Sequence, residues 1–269
     1  MLDARTSGAH EGAEARGAEP AAQRRPTKRA VLIVLHQEHS NPGHVGQWFR
    51  CNGYALDIRK PRFGDKLPAT LSEHCGAVIF GGPMSANDKD AFIAEETAWI
   101  GVALRERRPL LGICLGAQML ANHLGGRVGF DRDAAVEVGY YPLRTTKAAG
   151  ALGPFPEHVY QWHREGCELS AGECLLATSD GPFPNQAFAY GAAVGVQFHP
   201  EITPAQIYRW TRSPGRLNMP GARPRQEHIV GHITHGPPVR AWLDRFLANW
   251  LAPGRVEPAH ASARASGKS

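Results

Sequence analysis

Long apolar runs are absent from this chain of 269 residues, and so is the charged-then-hydrophobic N-terminal pattern of a secretory signal. A membrane span requires about 18 or more consecutive apolar residues, and no stretch approaches that length. Cysteine is scarce as well: the five cysteines include no Cys-x-x-Cys pair, so we do not expect a disulfide framework. We therefore expect a soluble, cytoplasmic protein that keeps its thiols reduced and does not bind membranes.

A basic stripe with interleaved aromatic residues, the usual signature of a nucleic-acid-binding surface, is also missing. The formal net charge is +5, but residues 1–29 contain six Lys/Arg against four Asp/Glu, and residues 252–269 contain three against one. These two segments carry +4 of the total, which leaves the rest of the chain near neutral. We expect no nucleic-acid partner.

The two ends also differ from the middle in composition. Residues 1–28 are rich in Ala, Gly, Glu and Arg without a periodic apolar pattern, and residues 253–269 are similar. We expect both to be disordered tails. Residues 29–252 then form one domain, which is long for a single domain but acceptable for an α/β fold.

The most informative feature is the segment Pro-Leu-Leu-Gly-Ile-Cys-Leu-Gly-Ala-Gln at residues 109–118. It predicts a nucleophile elbow, in which a tight strand-to-helix turn holds Cys114 in a strained backbone conformation and the residues two before and two after must be small. Gly112 and Gly116 meet that requirement. A helix starting after the elbow points its free N–H groups at the thiol, which favours the thiolate.

A second motif supplies a base for that thiol. Residues 193–201 read Ala-Val-Gly-Val-Gln-Phe-His-Pro-Glu, a strand-like run that delivers His199 and Glu201 at its carboxyl end. Active sites of open α/β sheets collect at that edge. A thiol nucleophile needs a base, and the base needs a carboxylate to hold its tautomer, so we interpret the pair as completing a catalytic triad.

The third motif is a glycine turn. Residues 76–80 predict a strand that ends in Gly-Gly-Pro-Met-Ser at 81–85. Such a turn lets a main-chain N–H approach a ligand closely, and together with the N–H of Leu115 it would provide the two donors that the oxyanion of acyl transfer requires.

These three motifs, in this order, resemble those of the class I glutamine amidotransferases, and the resemblance covers about residues 30–251. Within that family the sequence is similar to stand-alone members related to the glutaminase half of guanylate (GMP) synthase. The resemblance implies an α/β fold: a flavodoxin-like, three-layer domain with a mixed, largely parallel sheet. It also implies Cys114 as nucleophile, His199 as base and acid, and Glu201 as the residue that orients His199.

The same resemblance assigns three further residues. The N–H groups of Gly82 and Leu115 would form the oxyanion hole. Gln118, four residues past the nucleophile, matches a position that helps to hold the substrate glutamine. No cofactor and no metal is implied.

Hydrophobic periodicity predicts alternating strands and helices, which favours parallel pairing. We predict strands at 30–35, 55–59, 76–80 and 109–113, helices at 44–52, 90–105 and 117–124, strands of a more antiparallel half at 136–143 and 174–178, and a final amphipathic helix at 238–251.

Two groups of histidines raise the question of a metal. His228, His232 and His235 share helical spacing, and a second group consists of His36, His39 and His44. The first group lacks an accompanying carboxylate pattern and the second is irregularly spaced, so we expect no metal site at either.

We expect the chain to hydrolyse the γ-amide of glutamine through a γ-glutamyl-cysteine thioester, giving glutamate and ammonia for a separate synthetase subunit. Two alternatives stay open: a stand-alone hydrolase of γ-glutamyl amides or peptides, and a catalytically idle binding or regulatory domain. At 162–165 the chain reads Trp-His-Arg-Glu where the GMP synthase relatives usually have His-Gly-Asp in a segment tied to synthetase contact, which weakens the case for that partner. The Pro/Gly-rich segment 212–225 predicts a long loop that covers the site or docks a partner.

Overall fold

The structure, a computed structural model, describes residues 28–212 and 215–252. The two predicted tails lie outside the described residues, apart from Lys28, with which the first strand begins. Within the described ranges the strands and helices are, in chain order, β1 (Lys28–Val34), α1 (Gly43–Cys51), β2 (Tyr54–Arg59), β3 (His74–Ile79), α2 (Ala91–Arg105), β4 (Leu110–Ile113), α3 (Leu115–His123), β5 (Arg127–Phe130), β6 (Glu137–Pro142), β7 (Arg144–Thr145), β8 (His158–His163), β9 (Glu165–Glu168), β10 (Cys174–Thr178), β11 (Asn185–Tyr190), β12 (Ala193–Val196), α4 (Pro204–Trp210) and α5 (Arg225–Trp250).

A mixed sheet forms the centre of the fold, with strand order β2-β1-β3-β4-β12-β11-β10-β7. The first five strands pair in parallel, and the last three continue antiparallel. The ends of three neighbouring strands are in register, since Ile79 and Val196 flank Gly112 and Ile113 of β4. The carboxyl ends of β3, β4 and β12, which carry the three sequence motifs, therefore meet at one edge of the sheet.

Apolar side chains cover both faces of this sheet. In β1, Val31 and Ile33 pack in one layer with α1 and α5, whereas Leu32 and Val34 pack in the other with α2 and α3. Side chains of a strand alternate between faces, so a continuous apolar run indicates a strand that is buried on both sides. The result is the three-layer, flavodoxin-like α/β arrangement that the sequence predicts, and the fold prediction is confirmed.

Several elements were not predicted, among them β5, β7, β8, β9, β11 and α4. β8 and β6 form a separate antiparallel pair, in which His163 Nε2 lies 3.0 Å from the Glu137 carboxylate with both side chains buried. Polar groups that satisfy each other can be buried, but apolar periodicity does not detect them. For α4 a signal was present: Thr203 and Gln206 form a capping box with Pro at the first helical position.

The predicted start of the last helix was wrong. Helix α5 begins at Arg225 and continues through Pro237 and Pro238, where the prediction began it. Proline removes a backbone donor and frees a carbonyl one turn earlier, which usually ends a helix. Here both prolines are exposed, so water can bond the freed carbonyls and the helix continues. The segment with His228, His232 and His235 thereby becomes part of α5.

Among the helices of the described ranges, none has both the length and the apolar character needed to cross a bilayer.

Candidate active site

Cys114 occupies the turn between β4 and α3, in a conformation that L-residues rarely adopt, with φ 50° and ψ −104°. The neighbouring backbone leaves no room for side chains: a Cβ on Gly112 would lie 2.5 Å from the Gly116 carbonyl oxygen, and a Cβ on Gly116 would lie 2.2 Å from that of Ile79. A strained residue of this kind costs about 1–3 kcal/mol and persists only where its surroundings hold it. The predicted elbow is therefore present, and α3 begins directly after the thiol at Leu115 rather than at 117.

His199 and Glu201 lie just beyond β12 as a buried pair, with His199 Nδ1 2.8 Å from Glu201 Oε1. Backbone contacts hold both residues in place. The His199 N–H donates to the Tyr160 carbonyl at 2.8 Å, and the Glu201 carbonyl accepts from the His44 N–H at 2.9 Å, at the start of α1. The second ring nitrogen, Nε2, is buried and has no oxygen or nitrogen partner among the described residues.

The charge of His199 is set by opposing effects. Burial acts to lower the pKa of the imidazole, but the Glu201 carboxylate and the Cys114 sulfur together outweigh burial and raise the pKa to about 10. Glu201 also accepts a hydrogen bond from the protonated ring at Nδ1. At neutral pH His199 is therefore an imidazolium beside the sulfur of Cys114, the arrangement in which a thiolate is stabilised.

Gly81 lies against both the imidazole of His199 and Cβ of Cys114. A Cβ on Gly81 would lie 2.8 Å from His199 Cε1 and 3.3 Å from Cys114 Cβ. The first glycine of the Gly-Gly-Pro turn thus lets two side chains from different strands approach the same small volume. The sequence motif indicates a role in oxyanion binding, and the steric role of Gly81 becomes visible only in the structure.

Gly82 and Leu115, the two predicted oxyanion donors, lie next to each other. A Cβ on Gly82 would lie 3.0 Å from Leu115 Cδ2. Leu115 is the first residue of α3, and the N–H groups of a helix's first turn have no acceptor within the helix. Leu115 directly follows Cys114, and Gly82 lines the same recess as Cys114.

Gln118, the predicted substrate-holding residue, is buried on α3. Its Nε2 donates to the Glu165 carbonyl at 2.9 Å and faces Gln197 Oε1 at 3.4 Å. Gln118 also lines a small recess together with Cys114. The amide is therefore held in a fixed orientation at the thiol.

Two neighbouring spaces, which share part of their lining, adjoin these residues. A cleft of about 660 Å³ reaches His199 and Glu201, and a narrow recess of about 20 Å³ reaches Cys114 and Gln118. The larger cleft does not reach Cys114. Because a thiol reaction takes place at the sulfur, the reacting centre is the narrow recess that Cys114 lines, although it is the smaller space. The residues shared by both spaces are Gly82, Pro83, Trp162 and Arg216.

Arg216 is the site residue that sequence reasoning missed. It lies in the segment 212–225, of which residues 213 and 214 are outside the described residues, and its Nη1 donates to the Trp162 carbonyl at 3.4 Å. Burial lowers the pKa of Arg216, while the Cys114 sulfur and the Glu165 carboxylate act to raise it. The predicted loop thus brings a cation to the thiol. In the sequence, the only signal for this role of Arg216 is that its loop follows the motif of His199 and Glu201 closely.

Glu165 lies opposite Arg216 in the recess and is buried. Its Oε1 accepts from the Ser85 hydroxyl at 2.8 Å, beside the glycine turn. Its backbone carbonyl also accepts from His163 Nδ1 at 3.0 Å. The acidic Glu165 and two arginines, Arg164 and Arg216, therefore line the space in front of the thiol.

The two histidine groups do not form a cluster. His228 bonds the Tyr160 hydroxyl and the Arg223 carbonyl, and His232 bonds the Tyr140 hydroxyl. His36 pairs with Glu96 in the interior. Over residues 28–212 and 215–252, no group of three or more His, Cys, Asp or Glu side chains is arranged to hold a metal ion.

Comparisons with known proteins identify the family of the chain. The family model "Glutamine amidotransferase class-I" matches residues 44–207. The glutamine amidotransferase-like protein YfeJ of Salmonella typhimurium is 31% identical over 185 residues, which cover 64% of this chain and 76% of YfeJ. A GMP synthase (glutamine-hydrolyzing) of Listeria monocytogenes is 33% identical over 132 residues, which cover 47% of this chain but only 24% of the synthase.

A solved structure shares the fold. The crystal structure of a glutamine amidotransferase from Methylobacillus flagellatus superposes with a TM-score of 0.76 at 25% identity, covering 83% of this chain and 94% of that one. The family model spans more than half of the 269 residues. The chain therefore belongs to the class I glutamine amidotransferase family.

Proposed function

We propose that this protein hydrolyses the γ-amide of glutamine or of a related γ-glutamyl amide, within one domain at residues 29–252. The observation that carries the proposal is the strained Cys114 beside a buried His199–Glu201 pair, at the end of three aligned strands. A strained nucleophile, a protonated base and a carboxylate that fixes the base are the parts that thiol acyl transfer requires.

The reaction proceeds in two halves. The Cys114 sulfur, with its proton on His199, attacks the γ-amide carbon, and the resulting oxyanion accepts hydrogen bonds from the N–H groups of Gly82 and Leu115. As the C–N bond breaks, His199 gives its proton to the leaving nitrogen, and ammonia or an amine departs. A γ-glutamyl thioester remains on Cys114.

Water completes the cycle. Acylation converts the sulfur to a neutral thioester, which removes the contribution of Cys114 to the raised pKa of His199. The lower pKa keeps the imidazole neutral after it has given its proton to the leaving nitrogen. The neutral ring then acts as the base and takes a proton from water while the water oxygen attacks the thioester. Glutamate leaves as His199 returns the proton to the sulfur. Throughout, Glu201 keeps Nδ1 protonated and Nε2 directed at the reacting atoms.

Arg216 and Glu165 give the recess the polarity of an α-amino acid. The guanidinium would bind the α-carboxylate of the substrate, and the Glu165 carboxylate would bind the α-ammonium. Both side chains line the recess with Cys114, and the Glu165 carboxylate and the Cys114 sulfur both favour the charged form of Arg216. Gln118 would complete the contacts with the glutamyl part.

The size of the adjoining cleft favours a second candidate, the stand-alone hydrolase of larger γ-glutamyl amides. Ammonia as a leaving group does not require a cleft of about 660 Å³, which lies within the usual range for small-molecule sites. Its lining includes Trp162, Trp210 and Arg209, groups that suit a larger amine with an anionic or aromatic part. A synthetase partner would instead cover this cleft and receive ammonia through it.

A direct assay separates these functions. Glutamate release is measured with the purified full-length chain on L-glutamine and on a panel of γ-glutamyl amides, beside Cys114→Ala. Cys51→Ala, which changes an exposed cysteine on α1, is the matched control. We expect release to fall by several orders of magnitude in Cys114→Ala and to be unchanged in Cys51→Ala.

The substrate profile then decides between the candidates. Preference for glutamine, raised by a partner protein, supports the amidotransferase role, and preference for a larger γ-glutamyl amide supports the stand-alone hydrolase. Activity of Cys114→Ala within about tenfold of the parent would refute the nucleophile. Absence of release from every substrate, with no partner that restores it, would favour an idle domain.

A further inference from the structure

A second buried histidine–carboxylate pair lies behind the glycine turn and takes no part in the chemistry described so far. His36 follows β1 and Glu96 lies on α2, and both side chains are 0% exposed. His36 Nε2 lies 2.8 Å from Glu96 Oε2, and His36 Nδ1 lies 3.2 Å from the carbonyl oxygen of Gly81. Burying such a pair costs free energy that apolar side chains of the same volume would not cost, so its presence calls for a reason.

The protonation of His36 follows from its partners. A carbonyl oxygen can only accept a hydrogen bond, so Nδ1 must carry the proton that bonds Gly81. The Glu96 carboxyl group occupies Nε2 on the other side of the ring. The hydrogen bond to Glu96 fixes the orientation of the ring, and the Gly81 carbonyl, which can only accept, requires the donor at Nδ1.

That hydrogen bond sets the direction of the next N–H group. The peptide between Gly81 and Gly82 is planar and trans, so its C=O and N–H point in opposite directions. His36 lies on the interior side of the turn, whereas Gly81 and Gly82 line the cleft. A carbonyl held inward by His36 directs the Gly82 N–H outward, towards the reacting centre.

We propose that His36 and Glu96 are positioning residues that lock the Gly81–Gly82 peptide with the Gly82 N–H directed at the substrate oxyanion. This proposal rests on the proposed function, because it assigns a purpose to that N–H. A peptide between two glycines needs such a lock, since neither residue has a Cβ to restrict its rotation. Gly82 also packs directly on His36, with a Cβ at Gly82 calculated to lie 3.1 Å from His36 Cβ.

The lock lies entirely within this chain. The oxyanion donor is therefore oriented without help from another protein, which preorganises the site before substrate binds. A preformed hole is what an enzyme that works alone requires, so the pair also bears on the choice between the two candidate functions.

The test compares two substitutions of one residue. His36→Phe keeps a planar ring but removes both donors, and His36→Asn keeps an amide donor close to the position of Nδ1. We expect kcat to fall by about 10²- to 10³-fold in His36→Phe with a small change in KM, the loss that accompanies removal of one oxyanion donor. We expect His36→Asn to recover most of that loss.

Alkylation of Cys114 by iodoacetamide is measured in parallel. That displacement forms no oxyanion, so its rate should stay within about threefold of the parent in both variants, whereas a general disturbance of the site would slow it. His74→Phe is the matched control, because His74 forms a similar pair with Asp57, at 3.0 Å, near the opposite end of β3. If His36→Phe fails to fold because Glu96 is left buried without a partner, the double variant His36→Phe/Glu96→Met, which replaces both members of the pair by apolar side chains, takes its place.

A crystal structure of His36→Phe gives a readout that does not depend on turnover. We expect the Gly81–Gly82 peptide to be rotated or disordered in the variant and to keep its orientation in His74→Phe. An unchanged peptide, or a kcat in His36→Phe within about threefold of the parent, would overturn the proposal. If the parent hydrolyses no γ-glutamyl amide, the proposed function fails, and the peptide orientation alone still decides whether His36 is a lock.

Discussion

A Cβ atom at Gly81 would lie 2.8 Å from Cε1 of His199, so the glycine turn and the catalytic histidine candidate are in steric contact. The same atom would approach Cys114 Cβ to 3.3 Å. Since the turn follows β3, Cys114 follows β4 and His199 follows β12, the distance between thiol and imidazole depends on how closely three separate strand ends converge.

Gly81→Ala should therefore displace the imidazole rather than unfold the protein. The shortest contact is with the far end of the His199 side chain, which can move, so we expect the free energy of unfolding to fall by about 1–3 kcal/mol. The displaced His199 should lower kcat by at least about tenfold. Urea unfolding and steady-state kinetics measure the two effects. Gly129→Ala is the control, since a Cβ there meets nothing within 4 Å, and equal losses in both variants would contradict the steric explanation.

The raised pKa of His199 predicts a pH profile. The imidazolium is the acid that protonates the leaving amine, and it is present below the pKa of about 10 and lost as pH rises through that value. We expect kcat/KM to stay level from neutral pH to about 9 and to decline above it. In Glu201→Gln the carboxylate that holds the proton is gone, so the decline should move to lower pH.

The pKa of the His199 ring can also be measured without enzymatic turnover. NMR titration of the His199 ring, assigned with His199→Gln, should give the same midpoint in the parent and a lower one in Glu201→Gln. Because the folded-state pKa lies above the unfolded value of about 6.5, the contribution to stability is complete below that pH and is lost between there and about 10. A parent midpoint at or below 6.5 would show that burial cancels or outweighs the effect of Glu201 and Cys114 on the pKa.

Arg216→Gln should weaken substrate binding more than it slows chemistry. A charge-assisted hydrogen bond contributes about 1.5–3 kcal/mol, so loss of the contact with the α-carboxylate should raise KM by about 10- to 100-fold. Arg212→Gln, at an exposed position of the same segment, is the matched control. A substrate analogue that lacks the α-carboxylate cannot make the contact with Arg216, so its KM should be equally high in both variants. A KM unchanged in Arg216→Gln would remove this arginine from the binding site.

Cys114→Gly should be inactive, like Cys114→Ala, but more stable than Cys114→Ala. The residue has φ 50°, and glycine adopts such a conformation without a Cβ penalty. We expect its free energy of unfolding to exceed that of Cys114→Ala by about 1–2 kcal/mol, the size of the local backbone strain. Denaturant titration of the two variants measures this difference directly. Equal stabilities would show that the elbow stores no strain.

Much of the fold was predictable because its signals are local. The buried strands of the parallel half are continuous apolar runs, as at β1 and β4, and α1, α2 and α3 follow with small shifts at their ends. Elements outside that pattern were not predicted. β8 carries Gln161 and His163, which become interior residues only through partners on β11 and β6, Gln186 and Glu137. No window of the sequence contains both members of such a pair.

The sequence by itself determined the candidate chemistry of this protein and the edge of the sheet where that chemistry lies. The spacing of Gly112, Cys114 and Gly116 is a steric requirement of one turn, and His199 and Glu201 are two residues apart, so both motifs are complete within a few residues. Only the tertiary structure decided what surrounds them. Arg216 reaches the recess across a long segment, and His36 meets Gly81 from 45 residues away. Contacts of that kind depend on how separate elements pack, which no local pattern of side chains specifies.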